Sequence, residues 1–180
     1  MAVESAVIEK LKEEFGTVIV ETHRFRGDDT AVVSREKVID VLTFLKQDTD
    51  MAFEFLMDVT AVDYLGQEPR FEVVYHLYSF ARNRRVRIKT KVPEEDAVVD
   101  TASSVWKGAD WFEREIYDMY GIRFAGHPDL RRILLYDEFE GHPLRKDYPL
   151  DLRQPTVPTR EFPDPEKQVR RDIDEWRVRK

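Results

Sequence analysis

The sequence predicts a two-layer α+β fold in which helices pack on a mixed or antiparallel sheet. Helical and strand-like patterns follow one another in the order α-β-β-α-β-β-β-α. The chain has 180 residues, of which 42% are hydrophobic, and this is enough to bury a core. We therefore expect one domain over residues 1–150 and an extended, proline-containing tail over residues 151–180, with a docking helix at 166–180 that orders on a partner.

Three amphipathic patterns predict the helices. The first covers residues 3–15, and the second covers about 35–47 with Ser34 as its expected N-cap. The third is expected to be capped by Asp110 and to end at Gly121, because glycine tolerates the left-handed conformation at a helix C-terminus. The apolar face predicted for this third helix consists of Phe112, Ile116, Met119 and Tyr120.

Apolar segments around polar turns predict the first strands. Residues 18–20 and 31–33 flank a polar link and predict a hairpin. Residues 53–59 alternate between apolar and acidic side chains, so one face of this strand is expected to pack on the core. The side chains predicted for that inner face are Phe53, Phe55, Met57 and Val59.

Two longer strands precede the third helix. Residues 71–80 are apolar on both faces, which is typical of a central strand. Residues 84–92 alternate between apolar side chains and cations, which suits an edge or solvent-facing strand that pairs across the sheet. A cationic face also suits an acidic protein or a nucleic acid, but the net charge of −7 argues against nucleic acid. A short helix is predicted from about residue 93 to residue 106.

Residues 106–150, called here the signature segment, carry the most distinctive pattern. After Gly121 the helical periodicity stops, and a Gly-His-Pro sequence at 126–128 recurs at 141–143. Proline and the restricted residue before it predict two rigid, extended arms that project leucines and cations. Between the arms, residues 132–136 are expected either to form a short strand or to pack down. A long, irregular, charged segment of this kind is uncommon in a compact domain unless it has a function.

An active site is one hypothesis for this segment. A stand-alone metal-dependent hydrolase would use His127, Asp129, His142 and Asp147, because these residue types bind metals or move protons. However, the histidine spacing matches no zinc pattern, and the segment contains neither serine nor cysteine as a nucleophile. The whole chain lacks cysteine, which excludes disulfides and an all-thiolate iron–sulfur cluster. No dinucleotide fingerprint, phosphate-binding loop or membrane-spanning stretch is visible.

A structural bracket or a partner contact is the favoured interpretation of the charged residues. Arg114 and Asp118 are four residues apart on one helix and can pair, and Arg114 with the later arginines can tie the loops to that helix. Trp106 is equally suited to be an interface anchor or a core residue. We therefore assign no catalytic, cofactor-binding or metal-binding residue to this chain. The residues assigned to the bracket or partner contact are Glu113, Arg114, Glu115, Asp118, His127, Asp129, Arg131, Arg132, His142, Arg145, Lys146 and Asp147.

Several motifs support a resemblance to a known family. The matching residues are Glu113-Arg114-Glu115, Asp118, Gly121, Phe124 and the stretches 126–132 and 141–149, together with 58–64, 69–77 and 106–108. They closely resemble the C-subunit family, also called the thirty-kilodalton subunit family, of proton-pumping NADH:quinone oxidoreductase (respiratory complex I). The resemblance covers about residues 50–150 well and the first 50 residues loosely.

The resemblance implies a non-catalytic subunit in the peripheral arm of the complex, on the cytoplasmic side of a bacterial inner membrane. It implies that the chain braces the D subunit, which forms the quinone site, and lies near the B and I subunits, which hold iron–sulfur clusters. Iron–sulfur clusters, FMN, NADH and quinone would then belong to the complex, and this chain itself would hold no cofactor. Similar subunits occur in hydrogenase-like and ferredoxin-linked complexes, so the electron donor stays open.

Overall fold

The structure, a computed structural model, describes residues 5–157. The docking helix expected at 166–180 lies outside the described residues. Within residues 5–157, no helix is long and apolar enough to cross a membrane. The helices and strands of this part of the chain are α1 (Ala6–Phe15), β1 (Ile19–Phe25), β2 (Asp28–Val33), α2 (Val38–Gln47), β3 (Phe55–Asp63), β4 (Phe71–Ser79), β5 (Arg84–Val92), β6 (Val98–Asp100), α3 (Ala109–Tyr120) and β7 (Arg123–Ala125).

A five-stranded sheet in the order β1-β2-β5-β4-β3 forms one layer of the fold. Neighbouring strands are antiparallel except β2 and β5, which are parallel, so the sheet is mixed. The three helices bury apolar faces in the same core as one face of this sheet. The predicted α+β fold with helices on a mixed sheet is confirmed. Two further strands, β6 and β7, pair in parallel as a small second sheet.

The core lies between the helices and the sheet. Leu11 of α1 and Leu42 and Leu45 of α2 are fully buried there, and Tyr75 of β4 and Ile88 of β5 meet them from the sheet. Complete burial of a large aliphatic side chain contributes roughly 1.5–3 kcal/mol to folding. The amphipathic patterns of the first two helices therefore correspond to helices whose apolar side chains are buried in the core.

Neither predicted N-cap side chain caps its helix, whereas one predicted helix end is confirmed. Helix α3 has Gly108 at its N-cap position and no side-chain cap, while Asp110 lies inside the first turn. There its charge interacts favourably with the positive end of the helix dipole instead of forming a cap. Ser34 is at the N-cap position of the 3₁₀ turn over residues 35–37 that leads into α2, but its side chain forms no cap hydrogen bond. Gly121 ends α3 with φ 79°, as predicted.

A β-bulge overturns the predicted inner face of β3. The register of β3 against β4 shifts between Leu56 and Asp58, which leaves Met57 as an extra residue. An extra residue reverses the alternation of side chains beyond it. Phe53 and Val59, on either side of this irregular stretch, are buried as predicted, whereas Phe55 and Met57 are exposed.

Strand β5 is central, and its interpretation as an edge strand is wrong. It lies between β2 and β4, because the hairpin of β1 and β2 joins it through a parallel contact that no local pattern reveals. Its cations do face away from the core and pair across the sheet. Lys89 binds Glu72 with an N–O distance of 2.7 Å, and Arg87 donates to Thr30 at 3.3 Å. Strand β4 also lies inside the sheet, as predicted.

The short helix predicted between residues 93 and 106 is wrong. This stretch contains β6 and turns, because pairing with β7 holds residues 98–100 extended. Trp106 is buried, and its indole N–H donates to the carbonyl of Glu54 at 3.0 Å. Of the two roles open to Trp106, the structure therefore shows the core role.

Replacement of Ile88 by alanine tests the central position of β5. The side chain of Ile88 is fully buried, so Ile88→Ala is expected to lower the free energy of unfolding by about 2–5 kcal/mol. Ile19→Ala on the edge strand β1 is the matched control. Because Ile19 is only partly buried, this change should lower the free energy of unfolding by clearly less. Urea titration followed by circular dichroism measures both losses. Equal losses would contradict the placement of β5 between two strands.

Candidate functional site

The candidate site is the part of the signature segment that follows α3, because it is irregular and yet firmly held. Residues 126–150 contain no helix or strand. Three acidic side chains with no solvent exposure surround it: Asp63, Glu113 and Asp118. A buried carboxylate is unfavourable unless it is paired or hydrogen-bonded, so each of these groups constrains the chain around it.

Asp118, near the end of α3, fixes the loop between the two arms. Its Oδ1 accepts a hydrogen bond from Arg132 Nη1 at 2.7 Å. Its Oδ2 accepts from the main-chain amides of three successive residues, 133–135, at 2.9–3.1 Å. Of the two alternatives predicted for residues 132–136, the structure shows the packed loop.

The hydrogen bonds of Asp118 determine its charge. Burial alone would raise the pKa of Asp118, but the amides of the loop and the guanidinium of Arg132 outweigh it and lower the pKa. Arg132 also donates to the carbonyl of Gly141 at 3.2 Å, so it joins the helix to the second arm. The ionised carboxylate therefore holds both the loop and the arm that follows.

The predicted pair of Arg114 with Asp118 is wrong. Arg114 donates to the carbonyls of Arg131 and Arg132 at 3.2 and 3.3 Å. Its guanidinium also lies over the ring of Trp111 at 5.3 Å. The inward-facing carboxylate of Asp118 is already satisfied by the loop, whereas Arg114 lies on the outer side of that loop. Arg114 therefore ties the loop to the helix through the main chain.

The two arms project fewer cations than their sequences predict. Arg131 and Lys146 are exposed. Arg132 turns inward to Asp118, and the guanidinium of Arg145 lies over the Phe71 ring at 5.0 Å with its Nε buried. One cation of each arm therefore faces inward, because a buried carboxylate or an aromatic ring lies beneath it.

Arg70, immediately before β4, ties the second arm to the sheet. Its guanidinium forms two hydrogen bonds with Asp63 at 2.8 and 2.9 Å and two with Asp147 at 2.7 and 3.0 Å. It also donates to Glu94 at 2.7 Å. The amide of Lys146 donates to Asp63 at 2.7 Å. A planar guanidinium can satisfy several carboxylates at once, so one side chain joins three separate parts of the chain.

The charges in this cluster stabilise one another. Hydrogen bonds from Arg70 lower the pKa of both Asp63 and Asp147, and these two carboxylates raise the pKa of Arg70. The sequence predicted a role for Asp147, but it did not single out Asp63, Arg70 or Glu94. A local signal did exist for Asp63, because the alternation that buries Val59 also places Asp63 on the inward-facing side of β3.

Glu113 is buried on the inner face of α3, although it is not among the residues predicted for the apolar face of this helix. Its carboxyl group lies 2.5 Å from Thr101 Oγ1 and accepts from the amide of Ala102 at 2.6 Å. These two residues follow β6, so Glu113 meets a loop that the small sheet brings under the helix. Burial raises the pKa of Glu113 to about 7, opposed by the bonds from Thr101 and Ala102 and assisted by Asp110.

His127 of the first arm lies beside Glu113, with its Nε2 3.9 Å from the carboxylate and its side chain fully buried. The amide of Asp129 donates to Nδ1 at 3.1 Å, so Nδ1 is an acceptor. Nε2 therefore carries the hydrogen, and it lies 3.2 Å from the carbonyl of Asp110. The buried imidazole thus anchors the first arm to the start of α3.

His142 of the second arm packs on the end of α3. Its Nδ1 lies 3.0 Å from the carbonyl of Asp118, one of the last carbonyls of the helix. The ring lies so close to Gly121 that a Cβ at this position would be 2.6 Å from Nε2. Burial lowers the pKa of His142 and favours the neutral ring. Gly121 therefore both ends the helix and leaves room for the arm.

The four residues of the hydrolase hypothesis do not form one site. His127 lies under the start of α3, His142 lies at its end, and Asp147 is bound to Arg70. Asp129 pairs with the neighbouring Arg131, with an N–O distance of 3.0 Å. Over residues 5–157, no group of three His, Asp or Glu side chains is placed to hold a metal ion. The structure therefore gives this hypothesis no support.

The outer surface of the signature segment combines apolar and charged groups. Trp111 and Leu134 are each 63% exposed, although such side chains are usually buried. Other exposed side chains of the segment are Glu115, Arg131, Tyr136, Leu144, Lys146 and Leu150. The internal hydrogen bonds hold this surface from beneath and leave these groups available to another molecule.

The beginning of the tail follows the second half of the signature segment. The Gln154 side chain exchanges two hydrogen bonds with the main chain of Glu140, at 2.8 and 3.0 Å. The hydroxyl of Tyr136 donates to the carbonyl of Pro155 at 3.0 Å. Residues 151–157 therefore start beside the exposed surface described above.

The fold and the site define a class of protein: an α+β domain that carries a long irregular segment held from within by buried carboxylates. The chain belongs to the family described as respiratory-chain NADH dehydrogenase, 30 Kd subunit, whose family model matches residues 31–154. The C subunit of NADH-quinone oxidoreductase from Geobacter sulfurreducens is 53% identical over 151 residues, which cover 83% of this chain and 92% of that protein. The corresponding protein of a Roseiflexus species, which has the same name, is 47% identical over 155 residues, with coverages of 86% and 89%.

Two solved structures are similar to this chain. A trypsin-resistant fragment of Nqo5 has a TM-score of 0.61 and 33% identity, over 69% of this chain and 99% of the fragment. A chain of an archaeal membrane-bound sulfane sulfur reductase has a TM-score of 0.69 and 25% identity, over 80% of this chain and 84% of that one. The resemblance to the C-subunit family of complex I is confirmed by these matches and by the family model.

Replacement of Asp63 by asparagine tests the cluster around Arg70. The amide cannot neutralise the buried guanidinium, so Asp63→Asn is expected to lower the free energy of unfolding by about 3 kcal/mol at neutral pH. Asp147→Asn removes a half-exposed carboxylate from the same guanidinium, so it should lower the free energy of unfolding by only about 1 kcal/mol. Because the fold lowers the pKa of Asp63, the effect of Asp63→Asn should fade as the pH drops from 3.8 through that lowered value. Guanidinium titrations of both variants over this range would contradict the inferred burial if the two losses were equal.

Replacement of Gly121 by alanine tests the close contact between the His142 ring and the end of α3. Both Gly121 and Gly66 have positive φ angles, of 79° and 87°, but nothing lies within 4 Å of a Cβ added at Gly66. Gly66→Ala should therefore lower the free energy of unfolding by about 1 kcal/mol, the cost of a left-handed backbone with a Cβ. Gly121→Ala should lower it by about 1–3 kcal/mol more, because its Cβ also overlaps the ring of His142. Thermal unfolding of both variants measures the difference. The double variant Gly121→Ala/His142→Ala should lose less than the sum of its single changes, and strict additivity would contradict the contact.

Proposed function

We propose that this chain is a non-catalytic subunit of the peripheral arm of a proton-pumping NADH:quinone oxidoreductase. Electron transfer from NADH to quinone is then a property of the whole complex, and FMN and the iron–sulfur clusters belong to other subunits. The observation that carries this proposal is the arrangement of the signature segment. Most of its charged anchors are satisfied internally, while large apolar side chains on its outer surface are exposed.

The exposed side chains have the chemistry of an interface. Aromatic residues and arginine dominate the energetics of protein–protein contacts. Trp111 stacks on Arg114, and Leu134 projects from the loop that Asp118 holds. Because the loop is already ordered, binding through it requires little further loss of conformational entropy. The segment therefore suits a pre-organised docking surface.

The partners in this proposal are the D subunit, which forms the quinone site, and the neighbouring B and I subunits, which hold iron–sulfur clusters. The chain braces these subunits on the cytoplasmic side of a bacterial inner membrane and is held there through the complex. The support is the family and its relatives, which are named as C subunits of NADH-quinone oxidoreductase. The tail after residue 150 extends the same surface, because residues 151–157 begin alongside it.

A corresponding subunit of a related respiratory complex is the second candidate. The similarity to a chain of the sulfane sulfur reductase complex favours it. The relatives from NADH-quinone oxidoreductase are about twice as similar in sequence, at 53% against 25% identity, and favour the first candidate. Purification of the tagged chain with its complex, followed by assays of NADH:quinone and ferredoxin:quinone reduction, separates the two candidates.

Replacement of Trp111 by alanine tests the docking surface. A central aromatic anchor contributes about 2 kcal/mol or more, so incorporation of Trp111→Ala into the complex should fall on the order of tenfold or more when the subunit is limiting. Reductase activity should fall in proportion to the amount assembled. Phe25→Ala is the matched control, since Phe25 is 62% exposed but lies on the distant hairpin. Native gels give the assembled fraction, and melting curves of the free variants show that both fold. Full assembly of Trp111→Ala with lost activity would indicate a direct role in catalysis.

A further inference from the structure

Glu113 is a buried carboxyl group without a counter-cation. Its side chain has no solvent exposure, and its only potential cationic neighbour among the described residues is His127, 3.9 Å away. That imidazole already accepts the Asp129 amide through Nδ1, so protonation there would break a hydrogen bond of the first arm. Asp63 and Asp118, by contrast, each bind an arginine. Of these three buried acids, Glu113 is therefore the one whose negative charge is neutralised most easily by protonation.

Among the other groups near Glu113, the carboxylate of Asp110 also favours the neutral form. On the same helix, Asp110 brings a second carboxylate 3.7 Å from His127 Nε2. The fully buried hydroxyl of Tyr75 on β4 has no hydrogen-bond partner in the part of the chain that the structure describes, and burial together with Glu113 and Asp100 raises its pKa. None of these neighbours supplies a permanent positive charge.

A chain of hydroxyl groups connects Glu113 to the surface. Thr101 Oγ1 lies 2.5 Å from Glu113 Oε2 and 2.7 Å from Ser103 Oγ. Ser103 is partly exposed. When Glu113 is protonated, it donates to Thr101 and Thr101 donates to Ser103. When Glu113 is ionised, both hydroxyl groups turn to donate towards the carboxylate. Each state keeps the amide of Ala102 as a donor to Oε1.

We propose that Glu113 is a one-proton switch that exchanges with solvent through Thr101 and Ser103 and controls how firmly the first arm is held. On ionisation, Glu113 gives its proton to Thr101 Oγ1, Thr101 gives its own hydroxyl proton to Ser103 Oγ, and Ser103 releases one to water. The loop that binds Glu113 is joined to the first arm, because the Thr101 amide donates to the Ala125 carbonyl at 2.9 Å and β6 pairs with β7. An uncompensated charge on Glu113 therefore makes the loop and the arm open more often.

The consequence for assembly rests on the proposed function. If the first arm belongs to the docking surface, loss of the proton from Glu113 loosens part of that surface, and the affinity for the partner falls as the pH rises. The switch itself is a property of the free chain and can be measured without the complex.

The free chain with Glu113→Gln tests the switch. Glutamine mimics the protonated acid, because its carbonyl can accept from Ala102 and its amide can donate to Thr101. Since the fold favours the protonated form, the wild-type folding equilibrium constant should fall on the order of a hundredfold between about pH 4.5 and about pH 7.5. Glu113→Gln should remove most of this fall, whereas the matched control Glu115→Gln, exposed on the same helix, should keep it. A wild-type pH profile in Glu113→Gln would overturn the proposal.

Two further measurements test the protonation of Glu113 and its effect on the first arm. Infrared difference spectra should show a protonated carboxyl band in the wild type that disappears as the pH rises through neutrality, and its absence at about pH 6 would overturn the proposal even if Glu113→Gln fails to fold. Thr101→Val removes a donor to the ionised form, so the band should persist to higher pH. An unchanged titration in Thr101→Val would overturn the relay. Amide hydrogen exchange at residues 101–103 and 124–129, corrected for intrinsic base catalysis, should accelerate over the same pH range in the wild type but not in Glu113→Gln. Equal acceleration in the two proteins would overturn the link between Glu113 and the first arm.

Discussion

The need to satisfy buried carboxylates determines the shape of the signature segment. Asp118 and Glu113 project from α3 into the protein, where a bare negative charge is strongly unfavourable. Each can remain there only if another part of the chain comes to it. The loop between the arms comes to Asp118, and the loop after β6 comes to Glu113. The order of the irregular segment therefore depends on α3 more than on its own backbone preferences.

The three acids buried around the signature segment are satisfied by different chemistry, and this gives each region a different response to its surroundings. Asp63 shares a guanidinium with other carboxylates, so it joins the sheet to the second arm through full charges. Asp118 relies on amides as well as one arginine and stays ionised. Glu113 has two hydrogen bonds but no cation. Two acids therefore form permanent attachments, whereas the third depends on the proton concentration.

The sequence predicted the layers of the fold better than its connections. Within residues 5–157, local periodicity identified α1, α2 and α3, the hairpin and the central position of β4. It failed at the bulge of β3, because one extra residue reverses the alternation, and at β5 and β6, because parallel pairing joins distant parts of the chain. The repeated Gly-His-Pro motif marked residues 106–150 as distinctive, but the partners of Arg114 and Asp118 depend on loop packing that spacing alone does not encode.

The capture of main-chain amides by Asp118 has a consequence for the evolution of this surface. The carboxylate recognises residues 133–135 by their N–H groups and not by their side chains. Substitutions at these positions, proline excepted, leave those three hydrogen bonds in place. The exposed position at Leu134 is thus free to diverge with whatever faces it, while the loop keeps its shape. Within one short loop, the conformation and the contact chemistry can be selected independently.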